Sequence, residues 1–148
     1  MSRAYFMDTN IFLRFLTRDS EEKAQACFRL FQQAQAGEIH LTTSEAVIAE
    51  VVYVLQRQYR VSRGEITQRL QPLLEMKNVQ LSYRGVYLRA LSLYRQHAVD
   101  FEDCLTVAHL ERQQHPGLYS YDRDFDRFEQ VTRLEPEAAA QRVIEESS

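Results

Sequence analysis

Short apolar segments alternate with longer stretches of helical periodicity along almost the whole chain, and this alternation limits the fold more than any other feature. Residues 4–7, Ala-Tyr-Phe-Met, read as a short buried strand that stops at Asp8. A helix over 9–18 follows, with Ile11, Phe12, Phe15 and Leu16 at helical spacing. Asp19, with Glu22 three residues on, has the pattern of a capping box for a second helix that stops at Gly37. Residues 39–41 read as a second strand, and Thr42 with Glu45 opens a strongly apolar helix running to about Tyr59. Ser62 and Glu65 repeat the box for a further helix, in which Pro72 is expected to introduce a kink. Residues 79–81 read as a third strand, 86–97 as a helix, and Asp100 opens another helix ending near 115–117. Residues 118–121 and 131–134 supply a fourth and a fifth strand.

Strands separated by helices predict an α/β fold, with a central parallel sheet of four to five strands and helices on both faces. Residues 1–135 are expected to form this one domain, and 136–148 a small polar tail. In such sheets, sites form beyond the carboxyl ends of the strands, where the following helices also begin.

Composition narrows the function classes. The apolar run before Asp8 is only the four residues 4–7, against the roughly 7–15 of a signal peptide's apolar stretch. The longest apolar run, 46–55, is interrupted by Glu50 and is short of the ~20 residues that span a bilayer. A soluble cytoplasmic protein with no membrane partner is the expectation. Cys27 and Cys104 lie in apolar helical patterns without zinc spacing and read as reduced core thiols. The net charge of −3 does not advertise nucleic-acid binding. Yet among the 18 basic residues only Lys23 and Lys77 are lysine, and arginine suits bidentate phosphate contact. Arg57, Arg60, Arg63 and Arg69 form a local basic cluster, which for any single member reads as a solvated helix face.

Carboxylates fall where strand ends and helix starts converge. Asp8 ends the first strand, Glu50 lies about two turns into the helix after the second, Asp103 lies in a first helical turn, and Asp122 follows the fourth strand. Each has a plainer reading. Asp8 has the chemistry of an N-cap, Asp100 and Asp103 that of a capping pair, and Asp122, Asp124 and Asp126 that of a solvated acidic turn. Glu50 sits in a helix apolar nearly all round, so it is expected to be buried, and a buried carboxylate must be ion-paired, protonated or metal-bound. Carboxylates gathered at one edge repel unless a cation lies between them, and Mg²⁺ or Mn²⁺ suits oxygen ligands shared with phosphate.

The segments carrying these acids resemble the PIN-domain nucleases, and specifically the VapC-type toxins. They are Tyr-Phe-Met-Asp-Thr-Asn at 5–10, Thr-Ser-Glu-Ala-Val-Ile-Ala-Glu-Val-Val at 43–52, Val-Asp-Phe-Glu-Asp-Cys at 99–104, and Ser-Tyr-Asp-Arg-Asp-Phe-Asp at 120–126. Asp-Thr-Asn alone is a weak signal, but the four segments in order over residues 4 to about 134 are specific. The resemblance implies a catalytic metal site of Asp8, Glu50, Asp103 and Asp122, with Asp8 and Asp103 as principal Mg²⁺ ligands. It implies that Thr9, Asn10 and Ser120 support these acids from behind, and it leaves Asp124 as a competitor for the fourth position and Asp100 as a further acid nearby. It also implies an endoribonuclease that hydrolyses RNA by metal-activated water, a homodimer, and a cognate antitoxin whose arginine approaches the acids.

Other chemistries fit less well. A haloacid-dehalogenase-type phosphatase needs Asp where Asn10 stands. The 122–126 run resembles half of an EF-hand loop, but Arg127 replaces its glycine and Arg133 its bidentate acid. His40, His97, His109 and His115 do not pair with the cysteines at zinc spacing, His109 reads as a satisfied core residue, and no glycine-rich phosphate loop is present. The alternative from another class is an inactive PIN-like module that binds RNA or protein. A decayed enzyme would be expected to have lost at least one of the four acids.

Overall fold

Serine hydroxyls set where three of the helices begin in the computed structural model, which describes residues 3–115, 117–137, 139 and 145–147. Strand β1 (Ala4–Phe6) leads into α1 (Thr9–Thr17) and α2 (Glu21–Gln35). Strand β2 (His40–Thr42) leads into α3 (Glu45–Arg57) and α4 (Arg63–Glu75). Then come β3 (Val79–Gln80), α5 (Arg84–Gln96), α6 (Phe101–Gln113), β4 (Leu118–Tyr119), a 3₁₀ turn α7 (Arg123–Arg127) and β5 (Arg133–Leu134). The caps of α2 and α3 are Ser20 and Ser44, one and two residues beyond the expected Asp19 and Thr42. In each case a serine in extended conformation takes the N–H three residues on, and Thr42 is held in β2 instead. Ser62 caps α4 as expected, and α4 runs through Pro72 without interruption. The acidic segment after β4 forms the 3₁₀ turn instead of an open loop.

All pairings are parallel, and each of the two crossovers in the main sheet uses a pair of helices. The expected single ladder is divided, however. β1, β2 and β3 form one sheet in that order, and β4 and β5 form a separate pair. These strands have only two or three residues each, so one missing register is enough to end a ladder. β1 therefore has a hydrogen-bonded neighbour on one side only, and Tyr5 and Phe6 are 67% and 60% exposed. The expected buried strand narrows to Met7.

The core lies where α3, α4, α5 and α6 meet, around Ile48, Val51, Leu55, Leu70, Tyr94 and Val107. Burying each Leu or Ile contributes on the order of 1.5–3 kcal/mol. Cys104 is free and buried there, and Cys27 is free and buried on α2; burial pushes the Cys104 thiol up to about 12, which keeps it inert.

Candidate active site

The end of β1 is tied down by backbone and threonine contacts. The Met7 N–H donates to the Thr42 carbonyl at 2.8 Å, and the buried Thr43 hydroxyl donates to the Met7 carbonyl at 3.0 Å. Asp8 follows as the N-cap of α1, its Oδ1 accepting from the Thr9 N–H at 2.8 Å. The capping reading of Asp8 therefore holds, and it leaves the carboxylate exposed to a ligand. Thr9 is buried, and its Oγ1 donates to Glu50 Oε2 at 3.0 Å. Asp8 and Glu50 are thus joined through one residue. Asn10 is exposed and lines a different cavity, between α1 and α2, with Arg14, Lys23 and Cys27.

Glu50 is exposed, against the expectation of burial. α3 buries Val47, Ile48, Ala49, Val51, Val52 and Leu55, while Glu50, Tyr53 and Arg57, spaced i, i+3 and i+7, form a face left open to solvent. The apolar letters between them conceal that face in the linear pattern.

The second half of the site is built by α6 and the turn after β4. Asp103 lies in the first turn of α6, half-buried. Ligand oxygens of Asp103, Asp122 and Asp124 all lie within 4.8 Å of one another. Burial, and then the charges of Asp122, Asp100, Asp124 and Glu102, raise the Asp103 carboxyl from 3.8 to about 6. Asp8 and Glu50 are outside that group. A cavity of about 190 Å³, lined by Ala49, Tyr53 and Gln56 of α3 and by Asp100, Phe101 and Glu102, adjoins both the open face of α3 and the first turn of α6.

The acidic turn is held from behind. Ser120 Oγ accepts from the Asp122 N–H at 3.0 Å, and Asp122 Oδ1 accepts from the Asp124 N–H at 2.9 Å. Arg133 donates to the Ser120 carbonyl and pairs with Asp126, both at 2.9 Å. Asp100 occupies the N-cap position of α6, but its side chain caps nothing. Its charge is one of those that raise Asp103.

Two arginines, one of them (Arg63) read from the linear pattern as part of a solvated helix face, hold the loop before α6. Arg63 donates to the carbonyls of Tyr94, His97 and Val99 at 3.1, 2.9 and 2.8 Å, and its guanidinium lies 4.2 Å from the Tyr94 ring centroid. Arg127, from the 3₁₀ turn, donates to the Ala98 carbonyl at 3.1 Å. Phe128 packs on the His97 ring, centroids 4.6 Å apart. These contacts set the 97–99 loop between α4 and the acidic turn, which brings Asp103 to Asp122 and Asp124. His109 bridges helices, with its Nε2 2.8 Å from Glu45 Oε1.

Three close carboxylates, one of them holding its proton more tightly than an ordinary aspartate, fit a hard divalent cation with oxygen ligands. Residues 5–131 match the family model of the PIN domain. The chain belongs to the PIN-domain family. Within it, the chain is of the VapC type: it is 31% identical over 124 residues to a VapC ribonuclease of Aquifex aeolicus (strain VF5), a match covering 82% of this chain and 89% of that protein. Asp8, Glu50, Asp103 and Asp122 all lie within the matched residues.

Proposed function

We propose that this PIN-domain protein is an endoribonuclease dependent on Mg²⁺ or Mn²⁺, the toxin of a toxin–antitoxin pair. The observation that carries the reading is the Asp103–Asp122–Asp124 group, with the Asp103 carboxyl raised to about 6, in a PIN-domain chain related to a VapC ribonuclease. Asp8, Glu50, Asp103 and Asp122 would hold the cation, with Asp124 competing for the fourth place. When bound, the cation supplies positive charge to the scissile phosphate and lowers the pKa of a water nucleophile. Hydrolysis forms one P–O bond from water and breaks one ester P–O bond, so no covalent intermediate with the protein is needed.

The chain's own residues have distinct tasks in this scheme. Asp8, free of any side-chain ion pair among the described residues, presents its second oxygen at the end of β1. Thr9 orients Glu50. Asp103 holds its proton more tightly than an ordinary aspartate and releases it when a cation binds. Ser120 and Arg133 fix the turn that carries Asp122. A cognate antitoxin that covers these acids and a homodimer belong to the same reading, as does a cytoplasmic location. No helix among the described residues is long and apolar enough to cross a membrane.

The test is cleavage of pooled cellular RNA by the purified protein, with Mg²⁺, with EDTA, and with Asp8→Asn in parallel. Cleavage that requires both the metal and Asp8 is expected. A folded, metal-loaded and antitoxin-free protein that cuts no RNA would instead be a binding module, and cleavage that survives Asp8→Asn would place the chemistry elsewhere.

A further inference from the structure

We infer that the open face of α3 beside the acidic site holds an unpaired stretch of the RNA, with Tyr53 stacking on a base and Arg57 contacting a backbone phosphate. The inference rests on the ribonuclease reading and names the side chains of α3 that would hold the strand beside the acids. Three observations carry it.

The first is register. Glu50, Tyr53 and Arg57 recur at i, i+3 and i+7, so the ring and the guanidinium lie on the same face of α3 as the acid. They stand about 4.5 Å and about 10.5 Å beyond Glu50 along the helix axis. A strand laid along this face passes from the acid to the ring to the cation.

The second is that neither group is consumed by the fold. Tyr53 is 57% exposed. The arginines at 14, 18, 69, 89, 127 and 133 are paired with carboxylates, and Arg63 and Arg84 with carbonyls. Arg57 has no carboxylate partner among the described residues, and its guanidinium lies 5.7 Å from the Tyr53 ring centroid. Arg60, three residues on, is exposed and likewise unpaired. An aromatic face with a neighbouring cation is the arrangement that binds single strands without reading sequence.

The third is the cavity beside the ring. It is lined by Tyr53, Gln56, Phe101, Asp100 and Glu102. Gln56 accepts from the Tyr94 hydroxyl at 2.7 Å through its carbonyl oxygen, which leaves its amide N–H₂ for a base edge. Asp100 and Glu102 repel phosphate, so the base goes to the cavity and the phosphate to the arginine end. In an A-form duplex the bases are stacked on one another and cannot be offered to a ring, so the strand must be unpaired.

Fluorescence anisotropy with a short labelled oligouridylate in EDTA tests this apart from cleavage. Tyr53→Ala is expected to weaken binding roughly 5- to 150-fold, the range for loss of one stacked base. Tyr53→Phe should keep wild-type affinity, because the ring and not the hydroxyl carries the contact. Arg57→Gln should flatten the slope of log K against log salt by about 0.7, one phosphate on a single strand. Arg29→Gln on exposed α2 controls for net charge and should bind like wild type. A perfectly paired hairpin should compete poorly. Wild-type affinity in Tyr53→Ala, or no binding of the oligouridylate by the unaltered protein, overturns the inference and leaves this face to a protein partner. The ribonuclease reading is judged separately, by the metal- and Asp8-dependent cleavage above.

Discussion

Removing the charge at Asp103 should stabilise the protein without metal and make it indifferent to metal. The folded protein raises this carboxyl from 3.8 to about 6, through burial first and then the charges of Asp122, Asp100, Asp124 and Glu102. A raised carboxyl binds its proton more tightly folded than unfolded, so folding gains from it at low pH and loses that gain as pH rises through about 6. Taken at face value, ionising Asp103 at pH 7.5 costs the fold about 3 kcal/mol. The carboxyl is only partly buried, and water screens its neighbours, so about 1 kcal/mol is the usable figure. For a domain of this size that is about 3 °C in Tm. Asp103→Asn should therefore melt about 3 °C above wild type in EDTA at pH 7.5, by differential scanning calorimetry. The gap should narrow as pH falls from about 6 toward about 4, where the wild-type carboxyl is protonated in the folded protein and begins to be protonated in the unfolded chain. Saturating Mg²⁺ should reverse the order. A cation at 100 times its Kd stabilises the wild type by about 2.7 kcal/mol, while the variant has lost a ligand. An Asp103→Asn protein that melts below wild type in EDTA, or that gains as much from Mg²⁺, would refute the account of this cluster as a strained cation site.

Three further perturbations separate holding from chemistry. Thr9→Val removes the 3.0 Å hydrogen bond to Glu50 with little change in volume, and RNA cleavage should fall about tenfold while stability changes by about 1 kcal/mol, as chemical denaturation can show. Arg63→Ala strips three carbonyls of their donor, so a loss of about 2–4 kcal/mol in urea unfolding is expected, with weaker Mg²⁺ binding by calorimetry because the loop before Asp103 is freed. At Gly117 a Cβ would stand 2.9 Å from the Thr132 carbonyl, where β4 meets β5, so Gly117→Ala should cost about 1–3 kcal/mol and lower cleavage through the turn that carries Asp122.

How far the linear sequence shows the fold depends on the range of the contacts concerned. Helix order was legible because serine caps and apolar periodicity act within a few residues, and even the misplaced caps at Asp19 and Thr42 missed Ser20 and Ser44 by one or two positions. Strand pairing was less so. Two-residue strands such as β3 and β4 carry almost no periodic signal, and the split between β1 and β4 depends on neighbours far along the chain. The burial expected of Glu50 failed for a related reason: one open face made of residues 50, 53 and 57 is hidden among apolar letters, and only packing shows which face stays free.

The placing of acids at strand ends and near helix starts was legible, because it depends on local pattern alone. The means of bringing Asp103 to Asp122 and Asp124 was not. The 97–99 loop contributes no carboxylate, yet it is held by Arg63, which lies 34 to 36 residues away in the chain, and by Arg127, 29 residues on. Nothing near Arg63 in sequence distinguishes it from Arg57 or Arg60, and one becomes a half-buried clamp while the others stay in solvent. Arginine serves both purposes because its planar fork can satisfy several carbonyls at once or present the same donors to a phosphate. In this chain the difference lies in position: Arg63 opens α4 against the end of α5, whereas Arg57 leaves α3 on the side of Glu50. A substitution of arginine by lysine should accordingly be costly at residue 63, where three acceptors share one guanidinium nitrogen, and mild at residue 57, where a single point charge would still meet a phosphate.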